Sequence, residues 1–246
     1  MAAIPAVAAM ATEQLLLRLQ PRADARLADF AAAGQELLLA ALNDFLRQDS
    51  SLLYLYGEPG SGRSHLLAAL CAEAEVLGLS AVLLPLSGMR EEDPALLQGL
   101  EGQDLIALDD VDAVAGRPVW EEALFHLFNR ARARGCRLVF AARQAPLPAG
   151  FHLPDLVSRL ALAPLWALEL PDDAGREALL QAAANRRGLV LEPELRRYLV
   201  QRGPRGSGRL LALLETLDRQ SLVAGRRLTI PFVRPWLEEE GRTEAL

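Results

Sequence analysis

The segment Leu52-Leu-Tyr-Leu-Tyr56, followed at once by Gly57-Glu58-Pro59-Gly60-Ser61-Gly62-Arg63-Ser64, constrains the fold most. A short apolar run ending in glycine suits a strand buried on both faces. The glycines let backbone N–H groups turn inward, and the helix expected from Arg63 to Val76 adds positive potential at its start. The segment fits the phosphate-loop pattern G-x-x-x-x-G-K-[ST], except that arginine stands in the lysine position. Gly57, Pro59, Gly60, Ser61, Gly62, Arg63 and Ser64, with the adjoining His65, are therefore the candidate nucleotide-binding residues. His65 alone reads as a packing residue of the helix. The Ser64 hydroxyl is placed to ligate Mg2+ beside a β-phosphate. Arg63 keeps the positive charge, but its planar guanidinium is bulkier than an ammonium. The pattern predicts nucleotide binding with weak turnover.

Strand and helix signals alternate around this loop. A helix is expected over 36–47, with Leu38, Leu42, Phe45 and Leu46 near helical spacing. Further strands are expected at Ala81–Leu86, Leu105–Leu108, Arg137–Ala142 and Trp166–Leu170, with a helix over Trp120–Arg134 carrying Leu124, Phe125 and Phe128 on one face. Such alternation implies an α/β fold: a five-stranded parallel sheet with helices on both faces. After Pro171 only helical patterns remain, at Asp173–Arg187, Glu192–Gln201, Gly208–Val223 and Pro231–Glu240, with Gly188, Gly203 and Gly225 as stops. The expected organisation is a flexible tail over 1–25, an α/β nucleotide-binding domain over 26–171 and a small all-helical domain over 172–246.

Asp109-Asp110 closes the third strand. Two carboxylates after a buried apolar run suit a Mg2+-water ligand, Asp109, followed by a water-orienting residue, Asp110. A solvated turn is the plain alternative. His65, His126 and His152 are scattered and form no metal constellation.

Composition narrows the function classes. The 246 residues are 51% apolar and 24% charged, so the chain is not disordered throughout. No apolar run reaches the roughly 18 residues that a membrane helix needs. The apolar start 1–11 has no basic residue and does not read as a signal peptide, and Met10 is an alternative start. Cys71 and Cys136 have no spacing partner, which points to a reducing, cytoplasmic location. The net charge of −6 argues against a protein that chiefly grips nucleic acid. The charge is uneven: residues 1–171 carry 13 basic and 21 acidic groups, and residues 172–246 carry 13 and 11. All 26 basic residues are arginine, so Arg63 is either tuned or merely compositional.

The chain resembles the AAA+ family, and within it the branch of the bacterial initiator DnaA. The likeness rests on Gly62-Arg-Ser-His-Leu-Leu67, Trp120-Glu-Glu-Ala-Leu-Phe-His-Leu-Phe-Asn129, Leu153-Pro-Asp-Leu-Val-Ser-Arg-Leu160 and Leu228-Thr-Ile-Pro-Phe-Val233. It implies an AAA+ sheet with a helical lid, bound ADP or ATP, and Mg2+ at Ser64 and Asp109. It also implies that Arg159 is a trans-acting arginine finger, reaching the nucleotide of a neighbouring DnaA subunit. Read alone, Arg159 is a surface arginine in an i,i+4 pair with Asp155. The lid arginine that contacts phosphate falls on Arg209, with Gly208 one residue away in register and Arg205 as another candidate. The γ-phosphate sensor falls where this chain has Ala141-Ala142-Arg143-Gln144, and alanines make no such contact.

Residues Gln14, Leu15, Leu17 and Leu19 resemble the family's clamp-binding peptide, with Arg18 where proline is usual. A glutamine with spaced leucines docks extended in an apolar groove; the plain alternative is an amphipathic helix start. The implied function is a regulator that, with the DNA-loaded DNA polymerase III sliding clamp, stimulates hydrolysis of DnaA-bound ATP and so inactivates the initiator. Its own ATPase would be weak or absent. A homodimer is plausible by resemblance; sequence-specific DNA binding and a membrane are not expected, since the chain reaches Leu246 without a basic helix-turn-helix domain. Two other classes remain open: an AAA+ accessory of helicase-loader type engaging nucleic acid, and an independent P-loop ATPase or small-molecule kinase.

Overall fold

The computed structural model describes residues 27, 36–49 and 51–243. The expected tail, with Gln14, Leu15, Leu17 and Leu19, lies outside them. The described residues divide into two compact units. One holds 27, 37–57 and 63–168; the other holds 36, the loop tip 58–62, and 169–243.

In the first unit α1 (Glu36–Arg47) precedes β1 (Leu52–Tyr56), the phosphate loop and α2 (Arg63–Val76). There follow β2 (Ala81–Pro85), β3 (Leu105–Asp109), α3 (Pro118–Ala133), β4 (Arg137–Ala142), α4 (Pro154–Leu160) and β5 (Leu165–Ala167). The five strands form one sheet in the order β2-β3-β4-β1-β5, and every pairing is parallel. β3 and β4 are buried at every residue, as strands covered on both faces must be. This is the α/β architecture expected from the alternating pattern.

The apolar core explains the layers. Leu66, Leu67 and Leu70 of α2 are fully buried, and α2 packs on β2, β3 and β4. Tyr54, Ile106, Leu108, Phe140, Trp120, Leu124 and Phe128 belong to one core cluster that joins β1, β3 and β4 to α3. The rings of Phe128 and Phe140 stack with centroids 6.4 Å apart. Phe125, expected on the buried face, is only partly buried and flanks this core.

The fifth strand is shorter than expected and starts a residue earlier. Leu165, Trp166 and Ala167 pair with Tyr54, Leu55 and Tyr56. The Leu168 N–H still donates to the Tyr56 carbonyl at 2.6 Å, and Glu169 already belongs to the second unit. The strand sits at an edge and pairs on one side only, so nothing extends the ladder further. β2 likewise ends at Pro85 rather than Leu86, because Leu86 opens a 3-10 turn.

The second unit is helical after Glu169: α5 (Asp173–Arg186), α6 (Pro193–Arg202), α7 (Ser207–Ala224) and α8 (Ile230–Thr243). Its own core gathers Leu180, Leu199, Leu210, Leu214 and Val233. Arg176 is buried there, and its guanidinium donates to the Pro204 carbonyl at 2.8 Å.

Candidate functional site

The phosphate loop leaves β1 with its first residue tied to the sheet: the Gly57 N–H donates to the Ala142 carbonyl at 3.2 Å. Ser61 N–H then closes a turn on the Glu58 carbonyl at 3.1 Å. Gly60 and Gly62 have φ of +91° and +97°, a conformation that side chains with a Cβ rarely adopt. Within the second unit, the Gly60 carbonyl accepts the Ser207 N–H at 3.2 Å, and a Cβ on Gly60 would lie 2.7 Å from the Gly206 Cα. The loop therefore has room for glycine at position 60 and nothing larger.

Arg63 opens α2 and is 7% exposed. Its guanidinium pairs with the Asp110 carboxylate at 3.4 Å. Asp110 itself holds φ +49°, ψ +47°, the left-handed region, just past the end of β3. Asp109 is 4% exposed. Burial pushes its carboxyl above the usual carboxylate range, against the opposing pull of a hydrogen bond with Ser64. One of its oxygens also accepts the Asp110 N–H at 2.9 Å. The structure thus brings Ser64 and Asp109 together, as a shared Mg2+ site needs. It also joins Arg63 to Asp110, a pairing the spacing did not reveal.

The residues present fit a bound phosphate group. Among the described residues, the Ser61 hydroxyl and the Arg63 Nη1 are buried at the loop without hydrogen-bond partners. Buried polar atoms are costly unless satisfied, so each is suited to a ligand oxygen. Among the described residues there is no cluster of three or more His, Cys, Asp or Glu able to hold a metal, so the Ser64–Asp109 pair is the candidate.

At the end of β4, Ala141 and Ala142 are fully buried, whereas Arg143 and Gln144 are exposed. The Arg143 Nε lies 3.8 Å from Asp112, and the Gln144 carbonyl accepts the Tyr54 hydroxyl at 3.0 Å. Burial raises the Tyr54 phenol, which stays protonated as a donor. Arg205 precedes α7 and Arg209 sits in its first turn; both side chains are exposed.

Arg159 lies in the last turn of α4, exposed, while Leu156 and Leu160 on the same helix are buried. Among the described residues its guanidinium has no ion-pair or hydrogen-bond partner, and the i,i+4 pair with Asp155 does not form.

One participant was missed by sequence reasoning. Glu121, in the first turn of α3, is 1% exposed and accepts backbone N–H groups of Gly116, His152 and Leu153 at 2.6–3.1 Å. The available signal was a charged residue at 121 in line with Leu124 and Phe128, at i+3 and i+7 on the apolar stripe.

Residues 173–237 match the family model for the lid domain of Hda. Domain III of the Thermotoga maritima replication initiation protein DnaA superposes with a TM-score of 0.68 at 19% identity, over 83% of this chain and 92% of that one. Residues 173–237 thus resemble an Hda-type lid, and the chain as a whole has the AAA+ fold seen in DnaA domain III. AMPPCP-bound DnaA from Aquifex aeolicus gives 0.62 at 21% identity, over 75% of this chain and 62% of that one. The Thermotoga maritima RuvB Holliday junction branch migration motor gives 0.62 at 18%, over 89% and 72%. A structure of a DNA replication initiation factor is spanned only over 61% of its length. At these identities the solved structures establish the AAA+ fold, and the lid match supplies the closer relation.

Proposed function

We propose that this AAA+ protein regulates replication initiation by acting on the nucleotide of a partner rather than on its own. In this reading Arg159 is a trans-acting finger toward ATP held by DnaA, and residues 14–19 tether the protein to the DNA-loaded sliding clamp. The observation that carries it is Arg159: an exposed guanidinium without a partner among the described residues, on a short helix anchored by Leu156 and Leu160. An arginine held out in this way can stabilise the charge that develops on γ-phosphoryl oxygens. The Hda-type lid and the DnaA-type fold support the initiator as the partner.

Its own pocket is read as a nucleotide holder. Backbone N–H groups of the loop would cradle phosphate, with the Ser61 hydroxyl and Arg63 Nη1 as donors to its oxygens; Arg209 or Arg205 is the lid arginine that the resemblance assigns to the nucleotide. Ser64 and Asp109 hold Mg2+, which when bound supplies charge to neutralise the phosphates. Two features oppose turnover. Asp110 is engaged by the Arg63 Nη2 at 3.4 Å, which ties up the water-orienting carboxylate while Nη1 still faces phosphate. The sensor position presents buried alanines.

The test is hydrolysis of DnaA-bound ATP with this protein, clamp and DNA. Arg159→Ala is expected to remove the stimulation, a loss of about 10³–10⁵ in rate for such a finger. Because Arg159 is exposed, stability should stay within about 0.5 kcal/mol. Unchanged stimulation by the variant would refute the assignment. So would rapid ATP turnover by the isolated protein, which would favour an independent ATPase.

A further inference from the structure

We propose that Glu121 is a positioning residue for Arg159: from α3 it caps the start of the finger helix α4 and thereby sets where the guanidinium stands. The inference rests on the reading of Arg159 given above.

A carboxylate buried without partners is strongly disfavoured, and an apolar side chain at 121 would continue the stripe of Leu124 and Phe128. Glu121 is instead satisfied by backbone alone. Oε1 accepts the Gly116 N–H at 2.7 Å and the His152 N–H at 3.1 Å. Oε2 accepts the His152 N–H at 2.9 Å and the Leu153 N–H at 2.6 Å. Leu153 is the N-cap residue of α4 and gives that helix no side-chain cap. In a capping box, an acidic residue three positions into the helix returns to the N-cap N–H. That position in α4 is Leu156, which is buried in the core. Glu121 supplies the missing half of the box from another helix.

The lever is short and direct. Arg159 lies six residues beyond Leu153, about 9 Å along a helix axis. A tilt of about 10° at Leu153 therefore moves the base of Arg159 by about 1.5 Å. Displacements of about 1 Å in a reacting group cost on the order of 10²-fold in rate. Leu156 and Leu160 fix which face of α4 is buried. Gly116 extends the same hub to the loop that follows Asp109-Asp110. It carries φ +76°, and a Cβ there would meet the His152 ring at 3.7 Å. One carboxylate thus ties the exit of β3 to the entry of the finger helix.

The test measures stimulated hydrolysis of DnaA-bound ATP, on clamp-loaded DNA, as a function of the concentration of this protein. Glu121→Gln keeps the shape but turns an amide N–H toward backbone N–H groups. It is expected to lower the plateau rate about 10- to 100-fold, while the half-stimulating concentration changes less than twofold. Loss of folded protein would do the reverse, shifting the half-stimulating concentration and sparing the plateau. Glu121→Asp, one methylene short, should lie between Gln and wild type, and serves if Gln fails to fold. Adding Glu121→Gln to Arg159→Ala should cost nothing further.

A normal plateau for both Glu121 variants, with Arg159→Ala inactive, would overturn the role of Glu121 and leave the finger intact. A normal plateau for Arg159→Ala would overturn both.

Discussion

Asp109 shows how one residue can be fitted to a ligand at a cost to the empty protein. Its carboxyl is raised chiefly by burial. In the unfolded chain the same group ionises near pH 3.9. Between that value and its higher folded value, the folded state binds more protons. Stability then falls as pH rises through that window and stays lowered at neutral pH. Asp109→Asn should therefore raise the melting temperature of the nucleotide-free protein at pH 7 and do little at pH 3. The same variant should weaken Mg2+-dependent nucleotide binding, read by calorimetry with ADP. The left-handed loop glycines and the contact of Ser64 with Asp109 were legible in the sequence, because the phosphate-loop pattern calls for those types at that spacing. The Arg63–Asp110 pair was not, since it depends on which way a long side chain turns in the fold. Glu121 escaped for a different reason. Its partners are backbone N–H groups, identical at every position, and two of them lie 31 and 32 residues away.

At the scale of elements, α4 has seven residues and two buried leucines holding its inner face. Leu160→Ala should cost about 2–5 kcal/mol of stability in denaturant unfolding. If Arg159 acts as proposed, the same variant should also reduce stimulation of DnaA-bound ATP hydrolysis, because Arg159 follows its helix. α1, α2, β1 and β4 were legible to the residue, since apolar runs and periodic leucines coincide with glycine or charged stops. β5 was not, because an edge strand ends where pairing ends rather than where apolar residues do. The 3-10 turns at Leu86–Gly88, Pro94–Leu97 and Leu100–Gly102 went unseen; pieces of three or four residues are too short for periodicity to mark. α4 was visible only through its resemblance to the family string.

At the scale of the whole molecule, the charge of −6 does not favour direct attachment to DNA, and the proposed role of residues 14–19 would supply it through the clamp. If the clamp supplies attachment to DNA, Gln14→Ala with Leu15→Ala should abolish clamp binding in a pull-down and leave ADP affinity unchanged. Helices of the described residues are too short or too polar to cross a membrane. Both cysteines are buried, and burial pushes the Cys71 thiol up to about 12 and raises Cys136 as well. Thiolates are the reactive form, so neither sulfur offers peroxide or an alkylating dye a foothold in the native protein. A cysteine introduced at the exposed Ser158 would then be the preferred target for a fluorophore among the described residues, one position from Arg159. Burying both sulfurs leaves α4 open to a single-site label, so its proposed approach to a partner's nucleotide can be followed as a distance.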